Sequence, residues 1–268
     1  MPGQRPSDFE LIRRFAQEGC EEAFRALVDR HAGLVYSACC RWLGDHHLAE
    51  DAAQATFIVL ARKAGRLGEK TVLADWLYKT ARYVVLQLKR ETARRTARER
   101  KAGEEAADAR AAPSDPARDV AWGEVRPLLD EEIVHLPKAS RQAVLLHYLE
   151  GRSLEETAEA LNITPDAARM RVNYGVEKLR ARLARRGVTL SVLALTAFLT
   201  TNTAEAAPAA LGASLHAVAM QTAGAAASAD AAASAEAAAS APSALAKGAV
   251  QAMAWAKIKR SEERRVGK

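Results

Sequence analysis

The chain has 268 residues, 49% of them apolar but only 5% aromatic, enough for one large domain or two small ones with Leu-, Val- and Ala-rich cores. That balance argues against a β-sandwich, whose strands favour aromatic and β-branched residues. A formal net charge of +6 points to an acidic partner, either nucleic acid or an anionic membrane surface. Cys20, Cys39 and Cys40 show no CxxC spacing, which argues against a disulfide framework or a cysteine-rich zinc site.

The opening residues, MPGQRPSDFELIRRF, lack the apolar run of a signal peptide, so the expected location is the cytoplasm. Ser7-Asp8-Phe9-Glu10 forms a capping box, and Phe9, Ile12 and Phe15 follow at helical spacing. Phe24, Leu27, Val28, Leu34 and Val35 predict more helix, with a break near Gly33. Asp45 can cap a helix running through Leu48, Ala52, Ala55 and Val59. Leu73, Trp76, Leu77, Ala81, Val84 and Leu88 make an apolar stripe, with Arg82, Lys89 and Arg90 off it. No period-two strand pattern persists, so the expected fold is all-α.

Composition divides the chain. Residues 7–101 form one helical unit ending in a basic run. Residues 102–119 carry Ala, Pro and acidic side chains with almost nothing to bury, and read as a flexible acidic linker. Residues 120–187 form a second helical unit. Residues 188–259 are an Ala-rich extension, in which alanine takes 23 of the 43 positions from 204 to 246. The final stretch, 260–268 (RSEERRVGK), resembles a translated sequencing adapter and is expected to be foreign to the natural chain.

The second unit carries the most specific local signal. Ser153-Leu154-Glu155-Glu156 is a capping box opening a short helix, and Asn162 can take the left-handed conformation a turn requires. Thr164-Pro165 then gives an N-cap followed by proline at the first helical position. Two helices joined by about three residues, with small Ala158 at their crossing, make a helix-turn-helix pattern. Arg169, Arg171, Lys178, Arg180, Arg182, Arg185 and Arg186 line the second helix. A lone charge run is commonly a solvated face; beside this turn it fits a helix seated in a DNA groove.

Three blocks in this order resemble the extracytoplasmic function sigma factors of the sigma-70 family, over roughly residues 7–187. LPKASRQAVLLHYLEGRSLEETAEALNITPDAARMRVNYGVEKLRARL (136–183) resembles region 4, the reader of the −35 element. AEDAAQATFIVLARK (49–63) resembles the region 2 helix that docks on polymerase, and LADWLYKTARYVVLQLKRETARR (73–95) the part that binds and opens the −10 element. The resemblance implies two small helical domains, core RNA polymerase and promoter DNA as partners, and an anti-sigma or other regulator as a further partner. For −35 contact it implies Arg141, Asp166, Ala167, Arg169, Met170, Arg171, Tyr174 and Lys178. For −10 contact it implies Trp76, Lys79, Arg82, Tyr83, Lys89 and Arg90, with Tyr78 adding to the mixture of aromatics and cations that unstacked bases need. For polymerase it implies Glu50, Asp51, Gln54 and Phe57. It implies no cofactor and no catalysis.

Two other readings compete. His46 with Glu50 and His47 with Asp51 are i, i+4 pairs of metal-ligand type, yet no second motif supplies further ligands and no HExxH occurs. A helix-turn-helix regulator acting without polymerase would need only the second unit. The segment 188–199 is apolar for about twelve residues, short of the roughly 20 that cross a bilayer, and is expected to pack on region 4 or a partner. Trp255, Lys257 and Lys259 suit a cytoplasmic membrane interface, so the untruncated chain is expected to continue into an inner-membrane tether.

Overall fold

A computed structural model describes residues 6–101, 119–201 and 207–208. The described residues are helical with no strand among them: α1 (Asp8–Glu18), α2 (Glu21–Leu43), α3 (His46–Lys63), α4 (Leu73–Lys101), α5 (Asp119–Val134), α6 (Lys138–Val144), α7 (Leu154–Leu161), α8 (Pro165–Arg185) and α9 (Val192–Thr201). The linker and the Ala-rich expectations fall almost wholly outside these residues. Asp119, assigned to the linker from composition, is the first residue of α5.

Local chemistry starts the helices where expected. Ser7 and Glu10 close both halves of the capping box on α1, and Asp45 accepts from the Leu48 amide at the start of α3. The break expected at Gly33 does not occur; α2 runs through it for 23 residues. An interior glycine costs a helix about 1 kcal/mol, and the buried neighbours Val28, Leu34 and Val35 offset that.

α2, α3 and α4 pack on one another, with α1 laid along α2. Phe24, Leu27, Leu60, Leu77 and Tyr78 are fully buried among them. In the second unit α6 and α7 both pack on α8. Gly175 of α8 permits this: a β-carbon there would stand 2.6 Å from the Val144 Cγ2 methyl and 3.3 Å from the Ser140 carbonyl. After α6 the chain makes one wide π turn, Leu145–Leu149, whose end is fixed by the Glu150 amide donating to the Leu145 carbonyl at 3.0 Å.

The two units share one continuous core, joined through α5. Among the described residues, three buried ion pairs cross between them. Arg41 of α2 makes a bidentate contact with Asp130 of α5 at 2.6 and 2.9 Å, and the Tyr78 hydroxyl donates to the same carboxylate at 2.5 Å. Arg141 of α6 meets Asp75 of α4 at 2.6 and 3.3 Å. His31 of α2, wholly buried, lies 2.6 Å from Glu150 and 3.1 Å from Asp8. Burial alone would lower the His31 pKa, but the Glu150 and Asp8 carboxylates overcome this and hold it up at about 9.

The apolar segment beginning at Val188 becomes helical only at Val192, where Ser191 caps the Ala194 amide at 3.0 Å. α9 packs on α8 and on the π turn, burying Leu195, Phe198 and Leu199. Phe198 and Leu199 line a small cavity beside the Arg41–Asp130 pair.

Candidate nucleic-acid interface

The helix-turn-helix forms as its residues dictate. Ser153 accepts from the Glu156 amide while the Glu156 carboxylate takes the Ser153 amide, which fixes the start of α7. Asn162 ends α7 with φ of 51°, a left-handed position asparagine tolerates, and the Ile163 amide then donates to the Ala158 carbonyl at 3.0 Å. Thr164 accepts from the Ala167 amide at 3.3 Å, with Pro165 first in α8. Ala158 is buried where α7 faces α8.

α8 divides cleanly around its circumference. Ala168, Val172, Gly175, Val176, Leu179 and Leu183 face the core. Asp166, Arg169, Met170, Tyr174 and Lys178 face solvent, at the spacing of a single outward face. Met170 is 74% exposed and Tyr174 51%, unusual for large apolar side chains that have a core to join. Lys178 Nζ sits 5.5 Å from the Tyr174 ring centre, so cation and ring form one unit. Ala167 and Arg171 are half-buried at the edges of this face. An outward surface of arginine, thioether, phenol and lysine can offer guanidinium forks to base edges and positive charge to phosphates.

Further along α8 the cations behave differently. Arg182 and Arg186 both donate to Glu132 of α5, a carboxylate that is 3% exposed, and Arg180 pairs with Glu177 at 3.1 Å. Burial works against Glu132's charge, but the two guanidiniums outweigh it and hold its carboxyl below the usual range. Within the basic run itself Glu177 is the opposing charge that the sequence displays; Glu132, some 50 residues away, carries no local signal.

Arg141 does not share the outward face of α8. It is 5% exposed, its donors taken by Asp75 and by the carbonyls of Val134 (3.1 Å) and Leu136 (2.7 Å). Expected beside the DNA-reading helix, it is interior in this arrangement.

On α4, Lys79, Arg82, Tyr83, Lys89 and Arg90 lie off the buried stripe of Leu73, Leu77, Ala81 and Val84, while Trp76 packs against the core at its border. Lys89 and Arg90 are exposed and the other four half-buried. Lys79 pairs with Asp75 at 3.5 Å, and Arg82 with Glu131 of α5 at 3.5 Å. Tyr78, grouped with these aromatics from sequence, instead belongs to the core. It is 0% exposed, its ring lies 5.1 Å from that of Trp42, and its hydroxyl serves Asp130.

Glu50, Asp51 and Gln54 are half-buried on one side of α3. Partial burial and the neighbouring Glu50 charge push the Asp51 carboxyl up. Phe57, grouped with them, has no exposed surface, so it serves that face only by seating α3 in the core. His46 accepts or donates at 3.1 Å with the Tyr36 hydroxyl, and no group of three metal-type ligands occurs among the described residues. Cys39 is buried in the core, and burial pushes its thiol far up.

Comparison with known proteins finds two family regions in order along the chain. The family description Sigma-70 region 2 matches residues 27–95, and Sigma-70, region 4 matches residues 126–179. The chain is 35% identical over 175 residues to the RNA polymerase sigma factor CarQ of Myxococcus xanthus, covering 64% of this chain and 95% of that protein. It is 28% identical over 181 residues to the ECF RNA polymerase sigma factor SigW of Bacillus subtilis, covering 62% and 92% respectively. A longer, partial likeness, 29% over 213 residues, joins it to the probable RNA polymerase sigma factor RfaY of Xanthomonas campestris, with 76% of this chain and 52% of that one. With a helix-turn-helix outward face, a basic-aromatic α4 and matches to both conserved regions in order, the chain belongs to the extracytoplasmic function sigma factors of the sigma-70 family, the subunits that direct RNA polymerase to promoters.

Proposed function

We propose that, within promoter-directed initiation, the outward face of α8 reads the −35 element and the open side of α4 receives the −10 element as its strands part. The observation that carries this is the exposed set Arg169, Met170, Tyr174 and Lys178 on a helix whose opposite face is wholly buried. Parting the strands costs on the order of a few kcal/mol per unstacked base, which contact with extruded bases must offset. Trp76 and Tyr83 supply stacking surfaces, and Lys79, Arg82, Lys89 and Arg90 supply charge for the backbone. Glu50, Asp51 and Gln54 supply an acidic, amide-bearing patch for core polymerase. The role is non-catalytic and places the chain in the cytoplasm, where polymerase and chromosome are.

Run-off transcription with core polymerase on a promoter library tests this reading. Initiation confined to promoters sharing two spaced elements supports it. Sequence-specific DNA binding with no polymerase-dependent initiation would favour a helix-turn-helix regulator instead. The tether reading rests on Trp255, Lys257 and Lys259, outside the described residues; no described helix is long and apolar enough to cross a membrane. An anti-sigma partner rests on family membership alone.

A further inference from the structure

Met170 and Tyr174 are the large apolar side chains that α8 leaves in water, although Val172, Val176 and Leu179 of the same helix are buried. They are the sixth and tenth of its 21 residues, within the N-terminal half that reaches base edges in a helix-turn-helix. Four residues separate them by about 6 Å along the helix axis, close to two base-pair steps of about 3.4 Å each. Their surroundings are cationic: Arg169 is exposed beside Met170, and the Lys178 Nζ lies 5.5 Å from the Tyr174 ring centre. Two apolar side chains set among cations make too small a surface for a stable protein partner. A thioether has no donor and is a weak acceptor, so Met170 cannot read hydrogen-bonding groups as the neighbouring guanidinium can. The major groove offers such a side chain one apolar feature, the 5-methyl group of thymine.

Resting on the sigma-factor reading, we infer that Met170 and Tyr174 are specificity-determining residues that cover the 5-methyl groups of two thymines in the −35 element, about two base-pair steps apart. The flanking cations hold α8 against the anionic duplex, and contact with the methyl groups then removes both apolar side chains from water. Lys178, already against the Tyr174 ring, restrains that ring before DNA arrives. Arg169, on the same outward face, keeps its guanidinium for a guanine edge or a phosphate. The division of labour is chemical: charge positions the helix, and the thioether and ring select thymine.

The test uses holoenzyme assembled from the full chain and core polymerase, on a promoter selected from the library. Each −35 thymine is replaced in turn by deoxyuridine, which deletes the methyl group and leaves every hydrogen-bonding group in place. Run-off product at limiting holoenzyme is the readout. The expected result is a loss of about fourfold at two thymines, as for one methyl group deprived of its apolar cover. Met170→Ala should erase the loss at one of these positions and Tyr174→Ala at the other, whereas Arg169→Ala should preserve both. Met170 and Tyr174 are exposed, so alanine at either leaves the core intact. Deoxyuridine tolerated at every −35 position, a selected element without thymine, or a loss that survives both Met170→Ala and Tyr174→Ala overturns the assignment. Where no promoter initiates, the duplex is selected by the full chain alone from a random pool, carries the same replacements and is read by mobility shift. Initiation indifferent to the methyl groups sinks the thymine assignment alone. Methyl-dependent binding without polymerase-directed initiation sinks the sigma-factor reading alone, and selection of no sequence in either assay sinks both.

Discussion

The outward face of α8 and the junction between the two units are both built on arginine, and they use it in opposite ways. On α8, Arg169 is exposed beside Met170 and Tyr174, with its charge turned to water. At the junction, Arg41 and Arg141 are almost fully buried, each gripped by a carboxylate more than 60 residues away in sequence. What separates a reading surface from a packing surface here is the neighbour the fold supplies, not the basic residue itself.

The largest effect should come from breaking the junction at Asp130. Asp130→Ala removes the carboxylate that Arg41 and Tyr78 share across the junction and should weaken docking by about 3–5 kcal/mol. Hydrogen exchange at the α5 amides is expected to accelerate strongly, with α8 binding to DNA retained. Unchanged α5 protection would mean that the Arg41–Asp130 pair is incidental to docking.

His31 sharpens the comparison, because it makes the junction sensitive to pH. Its folded pKa of about 9 stands above the ordinary 6.5, so its contribution is complete below about 6.5 and fades as pH rises through 9. Asp8 works in the other sense. Its burial is outweighed by His31 and Arg30, which hold its carboxyl well below the usual range, so its share is lost as pH falls. With Glu150, Asp8, Arg30 and Arg152 as the charged groups around the imidazole, the folded chain should be most stable between roughly pH 4 and 6.5. A compact radius at pH 6 that expands toward pH 9.5 is expected. His31→Gln should flatten this alkaline limb.

On the α8 face the expectation reverses. Arg169→Ala or Arg171→Ala should leave thermal unfolding nearly unchanged and weaken binding to the cognate −35 duplex by about 1–3 kcal/mol where the contact is to a base. A loss equal on all duplexes would reassign the residue to phosphate contact. The smallest effect belongs to Glu177→Gln, which removes an exposed partner of Arg180. It should change stability by less than about 0.5 kcal/mol, within the scatter of a urea titration.

The helix-turn-helix was legible in sequence because each of its signals is local. Ser153 with Glu156, Asn162, and Thr164 with Pro165 act within four residues of where they stand, and all take the expected positions. The junction was not legible: Asp75, Asp130, Glu132 and Glu150 read as ordinary surface acids until the fold sets them against arginine or histidine 50 to 119 residues away. Tyr78 and Phe57 differ from expectation for a related reason. Family position or an aromatic side chain suggested contact with a partner, while the helical phase of each points it into the core. Gly33 shows the limit of local punctuation, since tertiary packing carried α2 straight across it.

Asp130, Glu131 and Glu132 are consecutive, and on a helix consecutive side chains point about 100° apart. One turn of α5 thereby addresses Arg41 and Tyr78 with its first carboxylate, Arg82 with its second, and Arg182 and Arg186 with its third. Chain length is therefore tolerated very unequally at different points before this turn. Residues added before α5 only lengthen a connection, whereas one residue inserted between Val125 and Asp130 would rotate the whole acidic triplet out of phase with the rest of α5. Asp130 and Glu131 would then face their neighbours' partners while Glu132 took the buried place of Ile133, and α5 would act as a keyed shaft turned one notch from its lock.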